Sequence, residues 1–180
     1  MPENRPGDGI VSPKYGVLAA GEQPEHPLLQ RLLADWRAAA AQDGLPSPAF
    51  VDPLKLNYLL GSLIIVGVKH DGDGSLRFNY RLIGTDLVAR RERDHTGGWM
   101  HEHEDPAVAN TGPIVCRLAV ETRQPVQMQA LRRFEGQRYP VDYLLLPLAP
   151  TSGVNIDRLL IAQLYSTEMP RLPYRGKAEL

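Results

Sequence analysis

The sequence predicts an α+β domain: a five-stranded, mainly antiparallel sheet with helices on one face and an N-terminal amphipathic helix. Three observations predict it. Residues 28–36 carry apolar side chains at helical spacing. Two β-branched and aromatic runs, 62–69 and 75–82, flank the turn sequence Asp71-Gly72-Asp73-Gly74. A helical middle is then followed by three more strand-like runs within 125–167. Helices and strands in this order bury one face of each element in stacked layers.

The 180 residues suit one domain. Proline marks its limits: of 16 prolines, five lie in the first 27 residues and two in the last 11. Residues 26–168 are therefore read as the folded domain. An irregular N-terminal arm (1–25) precedes it and an irregular C-terminal tail (169–180) follows it. A net charge of −1 supplies no field for nucleic acid or an anionic membrane. No apolar run reaches the ~18–20 residues that span a bilayer, and MPENRPGDGIVSPKYG lacks the apolar core of a signal peptide. A single cysteine, Cys116, excludes an internal disulfide and a zinc site of several thiolates. It suits a reducing cytoplasm, the expected location.

The elements follow in order. Leu28, Leu29, Leu32, Leu33 and Trp36 make one face of a helix that starts at His26-Pro27 and stops at Asp43-Gly44. That face either covers the chain's own sheet or forms a dimer seam through helix 28–41. Asp52-Pro53 reads as a cap and first turn of a short helix through Leu60. The hairpin comes next, its return strand alternating Leu76, Phe78, Tyr80 and Leu82 against polar residues. Thr85 caps a short helix carrying Leu87 and Val88. Residues 94–105, DHTGGWMHEHED, read as a polar loop around Trp99 and Met100. Asp105-Pro106 starts a helix with Ile114, Val115, Leu118 and Ala119 on one face, and a break is expected near Thr111-Gly112, before Pro113. Strands at 125–134, 138–148 and 157–167 complete the sheet. Proline belongs at a strand's edge, end or bulge. The pair Pro140 and Pro147 therefore tests the boundaries of strand 138–148.

That order, with LLADW (32–36), LPSPAFVDPLKL (45–56), LRFNYRLIGTDLV (76–88), LLLPL (144–148) and NIDRLL (155–160), resembles a family. It is the family of short bacterial proteins whose folded body is one PAS domain. The resemblance covers about residues 28–167. It implies a sensory or regulatory module that cups a small molecule or another protein between its sheet and crossover helices. Its output would then be a change in a helix or a dimer contact.

The strongest chemical cluster is His95, His101, Glu102, His103, Glu104 and Asp105. Imidazoles and carboxylates ligate first-row metals. The plainer reading, which is preferred, is a solvated loop with acids near a helix N-terminus. Haem ligation through His101 or His103 is a further alternative. Cys116 in IVCRLA reads as a small buried hydrophobe. Arg90, Arg91 and Arg93, and Arg132, Arg133 and Arg138, are interleaved with Glu92, Asp94 and Glu135 and read as solvated faces. No nucleophile motif or phosphate loop is present.

The reading is a non-enzymatic module that binds a small ligand or a protein partner and signals through protein contacts. The expected pocket lies between the inner sheet face (Phe78, Tyr80, Tyr143, Tyr165) and helices carrying Leu87, Val88, Val115 and Leu118, with His95 and Trp99 at its rim. The alternative is that these groups simply fill a core. No cofactor is assigned, the signalling partner is unnamed, and neither nucleic acid nor membrane is expected as a partner. Two rivals stand: a metal-binding, haem-binding or enzymatic role of the His95–His103 loop, and a protein scaffold without ligand.

Overall fold

The computed structural model describes residues 9–91, 93–150, 154–171 and 176–177, with the side chains of 41–43 set aside. Expectations for residues 1–8, for Glu92, for the loop Thr151-Ser152-Gly153 and for 172–175 and 178–180 fall outside these residues. The elements are β1 (Gly9–Val17), α1 (Pro27–Asp43), β2 (Leu63–His70), β3 (Leu76–Ile83), α2 (Thr85–Arg91), α3 (Pro106–Thr122), β4 (Val126–Phe134), β5 (Gln137–Leu148) and β6 (Arg158–Tyr165). Short 3-10 turns stand at Pro48–Phe50, Leu60–Ser62 and Met100–Glu102. The strands form one antiparallel sheet in the order β1-β4-β5-β6-β2-β3.

The α+β class holds, but the sheet has six strands and not five. The added strand is β1, from residues read as an irregular arm. Its pairing with β4 shifts register between Val11 and Lys14, and Ser12 there has a φ of 53°. A bulge at that point accommodates Pro13 on an edge strand, which has no outer neighbour to need its N–H. Only Gly9 and Ile10 of β1 are buried, so no alternation of apolar residues announces the strand.

β5 is buried from Val141 to Leu148, and successive side chains point to opposite faces. Val141, Tyr143 and Leu145 meet residues of α2 and α3 in one core. Leu144, Leu146 and Leu148 meet Leu29, Leu32, Leu33 and Trp36 of α1 in a second. Helix α1 thus packs its leucine face on the sheet of its own chain, opposite α2 and α3. Each of those side chains gains about 2 kcal/mol from burial. The Trp36 Nε1–H donates to the Pro147 carbonyl at 3.1 Å and fixes the docking.

Three local expectations are corrected. Residues 53–59 form turns and no α-helix. The Asp52 carboxylate does accept from the Leu54 N–H (2.9 Å), but Leu54 is 86% exposed and only Leu56 and Leu59 are fully buried, with Tyr58 partly so, too few to hold a helix. Helix α3 runs unbroken through Pro113. A residue before proline avoids the helical region mainly because its Cβ and N–H clash with the proline ring; Gly112 has no Cβ. Finally, Pro140 and Pro147 both lie in the doubly paired strand β5, yet its boundaries stand. Pro140 accepts from the Ser166 N–H just past the end of β6, and Pro147 accepts from Trp36 past the start of β4. The N and O of one residue point to the same neighbour in an antiparallel ladder. Each proline therefore turns its missing N–H to the side where the adjacent strand has ended.

Candidate functional site

Between the inner sheet face and α3 lies a cavity of about 60 Å³. The sheet contributes Ile64, Tyr80 and Tyr143, and α3 contributes Val108, Val115 and Cys116. Met100 closes it from the 3-10 turn. Gly112 permits that approach, because a Cβ there would stand 2.7 Å from the Met100 sulfur. Arg91, the last residue of α2, supplies the cationic wall.

Arg91 Nη2 donates to the Gln163 side-chain oxygen, and Gln163 Nε2 donates to the Tyr165 hydroxyl at 3.0 Å. Among the described residues, no acceptor meets hydrogen-bond geometry at the buried Nε and Nη1 of Arg91, although the Tyr80 phenol lies close enough for the guanidinium to act on it. Among the described residues, no carboxylate pairs with this guanidinium. Burial pulls its pKa down. The phenols of Tyr80, Tyr143 and Tyr165 and the Asp105 carboxylate outweigh that and hold it above the ordinary value. The group is a fixed positive charge.

A second buried group joins three elements. Asp105 caps α3 by accepting from the Ala107 N–H (2.9 Å), accepts from the Ile10 N–H of β1 (3.1 Å) and faces Arg132 Nη1 of β4 at 3.7 Å. The loop read as polar and solvated folds inward instead, because its histidines find a wall to pack on. His95 is 5% exposed and stacks on His103 with ring centroids 4.2 Å apart, and both rings lie near Tyr80. His103 Nδ1 accepts from the Asp105 N–H (2.9 Å), which assigns its proton to Nε2. Burial, reinforced by the Arg91 charge, lowers His95 to about 4 and His103 to about 2, so both rings are neutral near pH 7. Burial also pushes Tyr80 up to about 12 and raises Tyr143 and the Cys116 thiol. Cys116 is thus a protonated, unreactive wall residue.

Of the residues expected at the pocket, Tyr80, Val115 and Tyr143 line the cavity. Phe78 and Leu87 are core, with Val88 and Leu118 packed against it. His95 lies behind Tyr80. Trp99 sits on the other side of β3, bridged to Asn79 and covered by the Arg77 guanidinium at 4.6 Å. Tyr165 reaches Arg91 only through Gln163. His101 turns outward beside Glu102, away from the other two histidines. Among the described residues, no three His, Cys, Asp or Glu side chains gather as metal ligands. The cavity is far smaller than the ~300–1,000 Å³ of drug-sized sites, and haem is larger still.

Sequence reasoning missed Arg91 and Arg132 by reading both clusters as solvated faces. A signal was present. Arg91 stands four residues after Leu87, on the same face of α2. Arg132 continues the inward alternation of Val126, Met128 and Ala130 along β4.

Compared with known protein families, residues 24–161 match the PAS domain. No curated protein and no solved structure matches the chain. Among the described residues no helix is long and apolar enough to cross a membrane. The match spans most of the 180 residues, including α1, β2 to β5 and the first half of β6, and the chain belongs to the PAS domain family.

Proposed function

We propose that this PAS domain is a non-enzymatic, cytoplasmic sensor that holds a small molecule between its sheet and α3 and reports occupancy through protein contacts. The observation that carries this reading is the cavity with a buried guanidinium in its wall, two of whose nitrogens have no hydrogen bond among the described residues. A packed core keeps such nitrogens out or pairs them, since an unsatisfied buried donor is costly. The cavity lies between Met100 in its short turn and helix α3, and a ligand there would brace the two together. The thiol in its wall is protonated, which disfavours nucleophilic chemistry there. Output through a second copy would use a surface other than the leucine face of α1, which lies on its own sheet.

A thermal-shift screen of small metabolites tests the reading. A ligand at 100 times its Kd stabilises the folded state by about 2.7 kcal/mol, which moves the Tm by several degrees. A small set of related compounds is expected to raise the Tm, and hydrogen exchange is expected to slow in α3 and around Met100 with the same compounds. No stabilising compound at millimolar concentration would favour a scaffold without ligand.

A further inference from the structure

We propose that the cavity takes a short aliphatic monocarboxylate, its oxygens on the free nitrogens of Arg91 and its alkyl part against Val108, Val115 and Leu145. This names the ligand class for the sensor reading above and rests on it.

Charge, size and polarity point the same way. Among the described residues, Nε and Nη1 of Arg91 are buried without a hydrogen bond and no carboxylate lies within ion-pair distance of the guanidinium, Asp105 acting on it only from farther away. An anion removes that deficit with charge-assisted hydrogen bonds, roughly twice as strong as neutral ones. A water occupies about 10–15 Å³ on the same scale. The 60 Å³ cavity therefore holds roughly four to six non-hydrogen atoms, the size range of acetate, propionate, lactate and pyruvate. The rest of the wall is mostly apolar, which suits an alkyl tail and opposes a second charge. Neither Arg132, which faces Asp105, nor Arg90, which lies over the Tyr165 ring, lines the cavity, and the stacked histidines add no charge near neutral pH. A dicarboxylate would bring two negative charges, and phosphate more than one, to a single arginine.

The test is calorimetric titration of the full chain at pH 7 with propionate, its uncharged isostere propanamide, succinate and inorganic phosphate. Acetate, lactate and pyruvate are run beside propionate. At least one monocarboxylate is expected to bind saturably, with propanamide, succinate and phosphate at least tenfold weaker. Arg91→Gln is expected to weaken that binding at least tenfold. Val115→Phe, which fills the alkyl end and leaves the guanidinium alone, is expected to do the same. The comparison with propanamide uses the unaltered protein, so it decides the matter even where a variant fails to fold. Equal binding of propanamide, or no binding of all four monocarboxylates, overturns the proposal. If neutral metabolites stabilise the protein while carboxylates do not, the ligand class fails and the sensor reading survives. If a carboxylate binds without slowing exchange in α3, the ligand class survives and the signalling reading fails.

Discussion

At the scale of single residues, the structure places its ionisable groups where burial decides their state. The histidine pair gives a pH prediction. An unfolded histidine titrates near 6.5, whereas folded His95 titrates at about 4 and His103 at about 2. Between pH 6.5 and 4 the unfolded chain therefore binds more protons than the folded one. Stability must fall as pH drops through that window, by up to about 1.4 kcal/mol per pH unit for each histidine. Urea unfolding across the window is expected to show this slope, and the double variant His95→Gln/His103→Gln a flatter one. Parallel slopes would mean that the rings are not buried neutral. Asp105 gives a second prediction. Asp105→Ala removes a helix cap and the acceptor for Ile10, and strips Arg132 of its facing carboxylate. A loss of about 3 kcal/mol is expected from those effects together, with faster exchange at the Ile10 amide. A loss below about 1 kcal/mol would show that the three elements do not depend on this carboxylate.

At the scale of elements, the sequence announced what periodicity can announce. The hairpin, α1, α2 and strands β4 to β6 stand within a few residues of where the sequence put them, because α1, the hairpin and β4 carry an apolar face, β5 and β6 carry continuous apolar runs, and α2 is marked by Leu87 and Val88 after Thr85. Pattern failed where backbone stereochemistry decides. The unbroken α3 depends on Gly112 preceding Pro113, a pairing that reads as a double helix-breaker until the missing Cβ is considered. Gly→Ala inside a helix ordinarily stabilises by roughly 0.5–1 kcal/mol. Here the new methyl would meet the Met100 sulfur and the Pro113 ring. Gly112→Ala is therefore expected to destabilise, as a lowered urea midpoint. A raised midpoint would contradict the packing described for this turn. The tolerance of Pro140 and Pro147 has the same character: it depends on where neighbouring strands end, which no single strand's sequence states.

At the scale of the whole molecule, two layers of helix sandwich one sheet, and the cavity sits in the layer that holds the charged groups. The class of the fold was legible, and three of the residues named from the sequence, Tyr80, Val115 and Tyr143, line the cavity. The cation in its wall was missed, because an arginine among arginines and acids reads first as a solvated face, and its place one turn after Leu87 on α2 was the weaker signal. The sixth strand was hidden for a related reason: β1 buries little and holds its place by backbone pairing to β4. Removing residues 1–17 would leave β4 as a bare edge, the kind that pairs with other chains. Light scattering of the truncated protein is expected to show concentration-dependent association beyond that of the full chain. Unchanged behaviour would mean that β1 does not protect the sheet. The central claim, that Arg91 waits for an anion, is tested most directly at its own side chain. In a two-dimensional NMR spectrum, the Nε–Hε resonance of Arg91 should shift saturably as the best-binding monocarboxylate is added and stay in place with propanamide. A carboxylate that shifts only surface arginines, with the Arg91 signal unmoved, would contradict the account.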